Sequence, residues 1–163
     1  MKWTRRDLLA RTGARPEGLC LELTESLFMR DVVHFETTLS RLKKLGVTLS
    51  IDDFGTGYSA LSSLQRFPID AVKVDRTFVA GLGKDTHASA LVAAIVAMAD
   101  ALGIYATAEG VETRDQLAGL KKVGCTRVQG YLFARPMPGP SMDKLVADFR
   151  SWQCDKRREG NLQ

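Results

Sequence analysis

Val47-Thr48-Leu49-Ser50-Ile51-Asp52-Asp53-Phe54-Gly55-Thr56-Gly57-Tyr58 sets the reading of the whole chain. Val47–Ile51 is a short apolar run with the length and composition of a buried strand. It stops at two consecutive acids and opens into a Gly-rich loop. Upstream, Gly46 closes a helical pattern from about Val32 to Leu45, with Asp31 placed to cap its start. Before that helix, Leu19–Leu23 reads as another buried strand. Downstream, a short helix is expected near Ser59–Arg66, ending before Pro68. Ala71–Val74 is then a third strand.

The alternation continues to the C-terminal region. Leu91, Val92, Ile95, Val96, Met98, Ala99 and Leu102 form one apolar face of a helix over Thr86–Leu102, stopped by Gly103. Ile104–Thr107 is a fourth strand. Thr113-Arg114-Asp115-Gln116 is a capping box that opens the next helix, which ends at Gly124. Thr126–Gln129 is a fifth strand, and Ser141 is placed to cap a last amphipathic helix reaching about Phe149. Strand–helix alternation predicts an α/β fold with a parallel sheet. A dinucleotide-binding sheet is the first rival, but Gly55-Thr56-Gly57-Tyr58 lacks the third glycine of that fingerprint, and no phosphate-binding P-loop sequence occurs.

Composition is that of an ordinary globular chain: 163 residues, 45% hydrophobic, 26% charged. The net charge of +4 suits an anionic substrate. Much of it lies in Arg5, Arg6, Arg11 and Arg15 and in Lys156, Arg157 and Arg158, with no interleaved aromatics to stack bases, so DNA is not an expected partner. The three cysteines, Cys20, Cys125 and Cys154, are widely spaced and form no Cys-x-x-Cys. They point to a reducing, cytoplasmic compartment, with Cys20 and Cys125 expected in the core. No stretch is long and apolar enough for a membrane span.

The informative residues stand where strands end. These are Glu22 and Glu25, then Asp52-Asp53, then Lys73 and Asp75, then Glu109, then Gln129, each group about one βα unit from the next. Parallel strands in successive βα units bring their C-terminal ends to one face, which in a TIM barrel holds the active site. A lone Asp-Asp after a strand is ordinarily a turn or a helix cap. Five strand ends together make a different case. Clustered carboxylates repel unless cations compensate, and all-oxygen donors suit Mg²⁺ or Mn²⁺. Two such ions suit in-line displacement at a phosphodiester. Lys73, inside a four-residue apolar strand, needs a supported place for its charge. Glu22, Asp52, Asp53, Lys73, Glu109 and Gln129 are therefore expected on one side of the sheet.

Leu21-Glu22-Leu23-Thr24-Glu25-Ser26, Asp52-Asp53-Phe54-Gly55-Thr56-Gly57-Tyr58-Ser59, Lys73-Val74-Asp75-Arg76, Ala108-Glu109-Gly110-Val111-Glu112-Thr113 and Gln129-Gly130-Tyr131-Leu132-Phe133 resemble the EAL family of cyclic-di-GMP phosphodiesterases. The resemblance runs from about Leu19 to Pro138. It implies a modified TIM barrel and metal-dependent hydrolysis of cyclic-di-GMP to linear pGpG. It also implies roles. Glu22 matches a metal ligand, Asp52 a carboxylate shared by two ions, Asp53 a ligand of the second, and Lys73 the lysine near the attacking water. Glu109 matches a glutamate proposed as ligand or general base, and Gln129 an active-site amide. Asp53 through Leu61, which takes in Phe54, Gly55, Thr56, Gly57, Tyr58 and Ser59, resembles the loop joining metal site and dimer interface. Glu25 matches its anchor and Glu112 a supporting acid.

The departures from that pattern also carry expectations. The Glu-Ala-Leu segment that names the family, and an asparagine ligand on the following strand, have no counterpart here; Asp100-Ala101-Leu102 lies at a helix end. A full barrel takes about 250 residues. The fold expected is therefore an incomplete TIM-type barrel of about five βα units. Residues 1–150 form it, with 1–18 as preceding helix and linker and 19–150 as the units, and 151–163 is a charged tail expected to be disordered. The retained metal site is expected at Asp52, Asp53 and Glu109; the other, reduced to Glu22 and Asp52, is expected to be impaired, and the chain alone is expected to be inactive. Open strand edges are expected to recruit a second copy or the remaining part of the domain, and the missing opposite wall is expected to expose Leu21, Leu49, Val72 and Ile104 if their pleat faces inward. Two other readings stay open: a non-catalytic module that binds the nucleotide or a protein, and a TIM-barrel metalloenzyme of another kind.

Overall fold

The structure is a computed structural model that describes residues 11–24, 32–55, 64 and 66–148. A 3-10 turn at Pro16–Gly18 leads into β1 (Cys20–Thr24), α1 (Val32–Lys44), β2 (Thr48–Phe54), β3 (Ala71–Val74), α2 (Arg76–Ala80), α3 (Thr86–Leu102), β4 (Tyr105–Ala108), α4 (Arg114–Lys122) and β5 (Arg127–Val128). The chain divides into two units, Met1–Phe133 and Ala134–Gln163. In the second, residues 139–148 are helical. The N–H groups of Ser141 and Met142 both donate to Pro138 O, so this helix begins before the expected Ser141 cap, with Pro140 in its first turn.

All five strands are parallel and lie in the order β1-β2-β3-β4-β5. That consecutive order, with no reversal, is the arc of a barrel rather than a doubly wound sheet. The sheet is open. Among the described residues, β1 pairs only with β2 and β5 only with β4.

The two faces of the sheet differ sharply in chemistry. Register places Leu21 beside Leu49, Ile51 beside Val72 and Val74 beside Ala108, and these residues pack in the hydrophobic core. Val92, Ile95, Val96 and Ala99 of α3, spaced at helical period, cover that face together with Leu39 of α1. The opposite face carries Cys20, Glu22, Thr24, Ser50, Asp52, Ala71, Lys73 and Thr107. Leu49 and Val72 are fully buried, and Leu21 and Ile104 pack partly buried against the core. The pleat that carries Leu49 and Val72 faces the helices, so the open inner side does not expose these two. Cys125 is buried as expected, but Cys20 is exposed, because it stands on the open edge.

Local chemistry sets the helix ends. Asp85 caps α3 by accepting from the His87 N–H, and Gly103 closes it in the left-handed conformation at φ 68°. Thr113 and Gln116 form the reciprocal capping box of α4. Asp75 caps α2, accepting from Thr77 N at 2.8 Å and also from the Thr77 hydroxyl. That five-residue helix has no counterpart in the sequence reading. The helix expected near Ser59–Arg66 falls mostly outside the described residues, although residues 64 and 66 are helical.

Candidate active site

The site starts from an irregularity in β2. Ile51 pairs with Val72 and Phe54 with Val74, so β2 carries one more residue than β3 over this interval. Such a bulge re-aims side chains at a strand end. Asp53 sits in it with φ 52°, the left-handed conformation that Asp tolerates better than most residues. Strand pairing thus continues through Phe54, rather than ending at Ile51, and the two acids lie within the strand's last turn of the pleat.

Lys73 is the hub. Its residue is only 9% exposed. The ammonium Nζ lies 2.7 Å from Glu109 Oε1, 2.8 Å from Glu22 Oε1 and 3.0 Å from Asp52 Oδ1. Carboxylates from β1, from β2 and from just beyond β4 thus meet on one lysine of β3. Burial alone would push the amine's pKa down; hydrogen bonds to Glu109 and Glu22 and the contact with Asp52 outweigh it and raise the pKa above its ordinary value. Asp52 Oδ1 is buried, and Lys73, 3.0 Å away, is the cation beside it. Backbone bonds hold the frame: Glu109 N donates to Val74 O at 3.2 Å.

Asp53 is exposed at the rim. Partial desolvation and the neighbouring Asp52 charge raise its pKa, and a hydrogen-bonding contact with Asp75 adds to the rise. Asp75 is itself held below its ordinary range; burial opposes this, but the Thr77 hydroxyl and N–H donate to it. Asp75 received no site role from the sequence. Its signal is period 2: residues 73 and 75 share one face of β3 and its continuation.

Asp52, Asp53 and Glu109 each offer a carboxylate oxygen, all within 4.8 Å of one another. Three hard oxygen donors from carboxylates, so close together, fit a divalent cation. Gln129 follows β5, its N–H donating to Ala108 O at 2.8 Å and its carbonyl accepting from Val111 N at 3.0 Å; the residue is exposed. Glu112 is exposed, and its N–H donates to Gln116 Oε1 at 2.8 Å, at the start of α4. Phe54 is buried in the core, and Gly55 turns the chain away at φ 101° beside Phe78 and Ile95. Glu25, Thr56, Gly57, Tyr58 and Ser59 lie outside the described residues.

A consecutive parallel sheet with helices over its apolar face and acids at its strand ends defines a TIM-barrel-type α/β domain with a polar, cation-suited site. The chain belongs to the EAL domain family, whose model matches residues 1–136. It is 44% identical over 145 residues to the cyclic di-GMP phosphodiesterase NbdA of Pseudomonas aeruginosa, a match covering 89% of this chain and 18% of that protein. Among solved structures it resembles the PaMucR phosphodiesterase in complex with c-di-GMP, with TM-score 0.79 and 44% identity over 84% of this chain and 56% of that one. It also resembles the manganese/cy-diGMP complex of Klebsiella pneumoniae BlrP1, with TM-score 0.75 and 41% identity over 80% of this chain and 33% of that one. The chain spans between 16% and 23% of the length of the curated relatives it matches. Among the described residues, no helix is long and apolar enough to cross a membrane.

Proposed function

We propose that this domain hydrolyses cyclic-di-GMP to linear pGpG with divalent metal ions, Mg²⁺ or Mn²⁺. The observation that carries the reading is the meeting of Glu22, Asp52 and Glu109 on the Lys73 ammonium, beside Asp53. Asp52, Asp53 and Glu109 would hold one ion; toward a second this chain supplies only Glu22 and Asp52, the other two family ligands having no counterpart in its sequence. Bound ions supply Lewis-acid stabilisation of the charge that develops on the phosphodiester. In the reaction, a water oxygen bonds to phosphorus as the bond from phosphorus to a ribose 3′-oxygen breaks. Glu109 would take the water's proton, and the leaving 3′-oxygen would take up a proton from solvent. Lys73 holds the carboxylates in register and faces the reacting phosphate. Gln129, at the open end of β5, positions the dinucleotide.

The reading extends to the surroundings of the site. Residues 1–150 serve as the EAL-type domain and 151–163 as a charged tail. The compartment is the cytoplasm, where unpaired Cys20 and Cys125 stay reduced. The open edges are covered by a second copy or by further residues of the domain.

The test is turnover of cyclic-di-GMP by the purified chain with Mn²⁺, followed by chromatography of pGpG. Glu109→Gln is expected to lower the rate by about 10²- to 10⁴-fold, the ordinary contribution of a general base. Tight nucleotide binding with no metal-dependent product would instead support a non-catalytic binding module.

A further inference from the structure

Lys73 stands where a cation would stand. Its ammonium touches one oxygen from each of Glu22, Asp52 and Glu109, at 2.8, 3.0 and 2.7 Å. Two of those carboxylates, Asp52 and Glu109, are also two of the three that fit a divalent ion. The lysine is nearly buried, on the central strand of the sheet, while Glu22 is half exposed and comes from the edge strand. Without a positive charge at the centre, three carboxylates from three separate elements repel one another, and the half-exposed Glu22 has every reason to swing to water. The ammonium therefore does structurally what a metal ion does chemically: it gathers the donors.

We propose that Lys73 is a built-in counter-cation that preassembles the site in its metal-free state and competes with the divalent ion for the same oxygens. This rests on the metal-site reading above. A divalent ion on Asp52, Asp53 and Glu109 shares two carboxylates with the lysine, and two cations on one pair of carboxylates repel. Metal entry then requires Lys73 to yield at least part of its contact. The arrangement lets the site remain ordered without metal, and it weakens the hold on metal relative to the bare acid cluster. The alternative is a lysine that merely supports the ligands from behind, using oxygens the metal does not need; removing such a support weakens metal binding.

Calorimetry with Mn²⁺ on the full chain and on Lys73→Met separates the two, with metal-free thermal melts alongside. Competition is expected to appear as a lower Tm of the metal-free variant, a Tm recovered by Mn²⁺, and Mn²⁺ affinity raised about tenfold or more. Affinity that is unchanged or lower in Lys73→Met overturns the proposal while leaving the metal site intact. Absence of Mn²⁺ binding in both proteins overturns the metal reading and this proposal with it. Should Lys73→Met fail to fold, amine labelling of the unsubstituted chain, mapped by mass spectrometry, gives the answer. Lys73 is expected to be protected without metal and to label faster when Mn²⁺ is added; equal labelling in both states overturns the proposal.

Discussion

Asp52 and Asp53 are neighbours in sequence with opposite environments. Asp52 turns into the pleat toward Lys73 with a buried oxygen, while Asp53, in the left-handed conformation, stands at the rim against Asp75. One bulge produces both. Replacing Asp52 by alanine removes the carboxylate that both cations use. Mn²⁺ affinity is expected to fall by about 100-fold or more in Asp52→Ala, measured by calorimetry; unchanged affinity would place the ion elsewhere. Gly130 governs the other side of the site. A Cβ there would meet Val111 O at 2.1 Å and Val111 N at 2.3 Å, backbone atoms that cannot step aside cheaply. Gly130→Ala is expected to cost about 1–3 kcal/mol, the usual range for overpacking, read as a fall in the denaturation midpoint. It should also displace Gln129 next to it, so turnover should drop further than stability alone explains.

Helix α4 begins with its stability written into four residues. Gln116 Oε1 accepts from Glu112 N at 2.8 Å and from Thr113 N at 2.9 Å, while Gln116 N donates back to Thr113 Oγ1 at 3.2 Å. Thr113→Ala is expected to cost about 1 kcal/mol and to leave Mn²⁺ affinity unchanged, both measurable on one preparation by melts and calorimetry. This element was legible in the sequence because its signal is local, as were α3, with its long apolar period, and the strand ends that carry Glu22, Asp52, Lys73 and Glu109. What was not legible depends on partners. The bulge at Asp53 exists only relative to the register of β3. Cys20 is exposed because nothing among the described residues pairs beyond β1. Helix α2 is too short for a period to show. The strands were each placed within a few residues, but which pleat faced the helices was left open, and with it the fate of Leu49 and Val72.

The whole sheet, seen by its two faces, revises what an open barrel should cost. Each aliphatic side chain buried by the helices stabilises by roughly 1.5–3 kcal/mol, and that contribution survives, since Leu49, Ile51, Val72 and Val74 all face the helices. The face a closed barrel would enclose carries Glu22, Thr24, Ser50, Asp52, Lys73 and Thr107, with only the small Cys20 and Ala71 among them, so it is mostly polar. An open inner face is therefore no reason for the chain to unfold or to bind apolar dyes strongly. The edges are a reason for it to associate. β1 uses one side of its backbone for β2, and among the described residues no strand lies on its other side; a parallel edge without a neighbouring strand templates another chain. Leu19, 40% exposed at the entry to that edge, adds apolar area to the same place. The isolated 163-residue chain is expected to melt cooperatively, to bind little dye, and to run as a dimer or larger species by light scattering. Leu19→Lys, which puts a charge at the edge, should shift it toward monomer without lowering the melting temperature. A dilute monomer from the unsubstituted chain would show that the edge of β1 is covered from within.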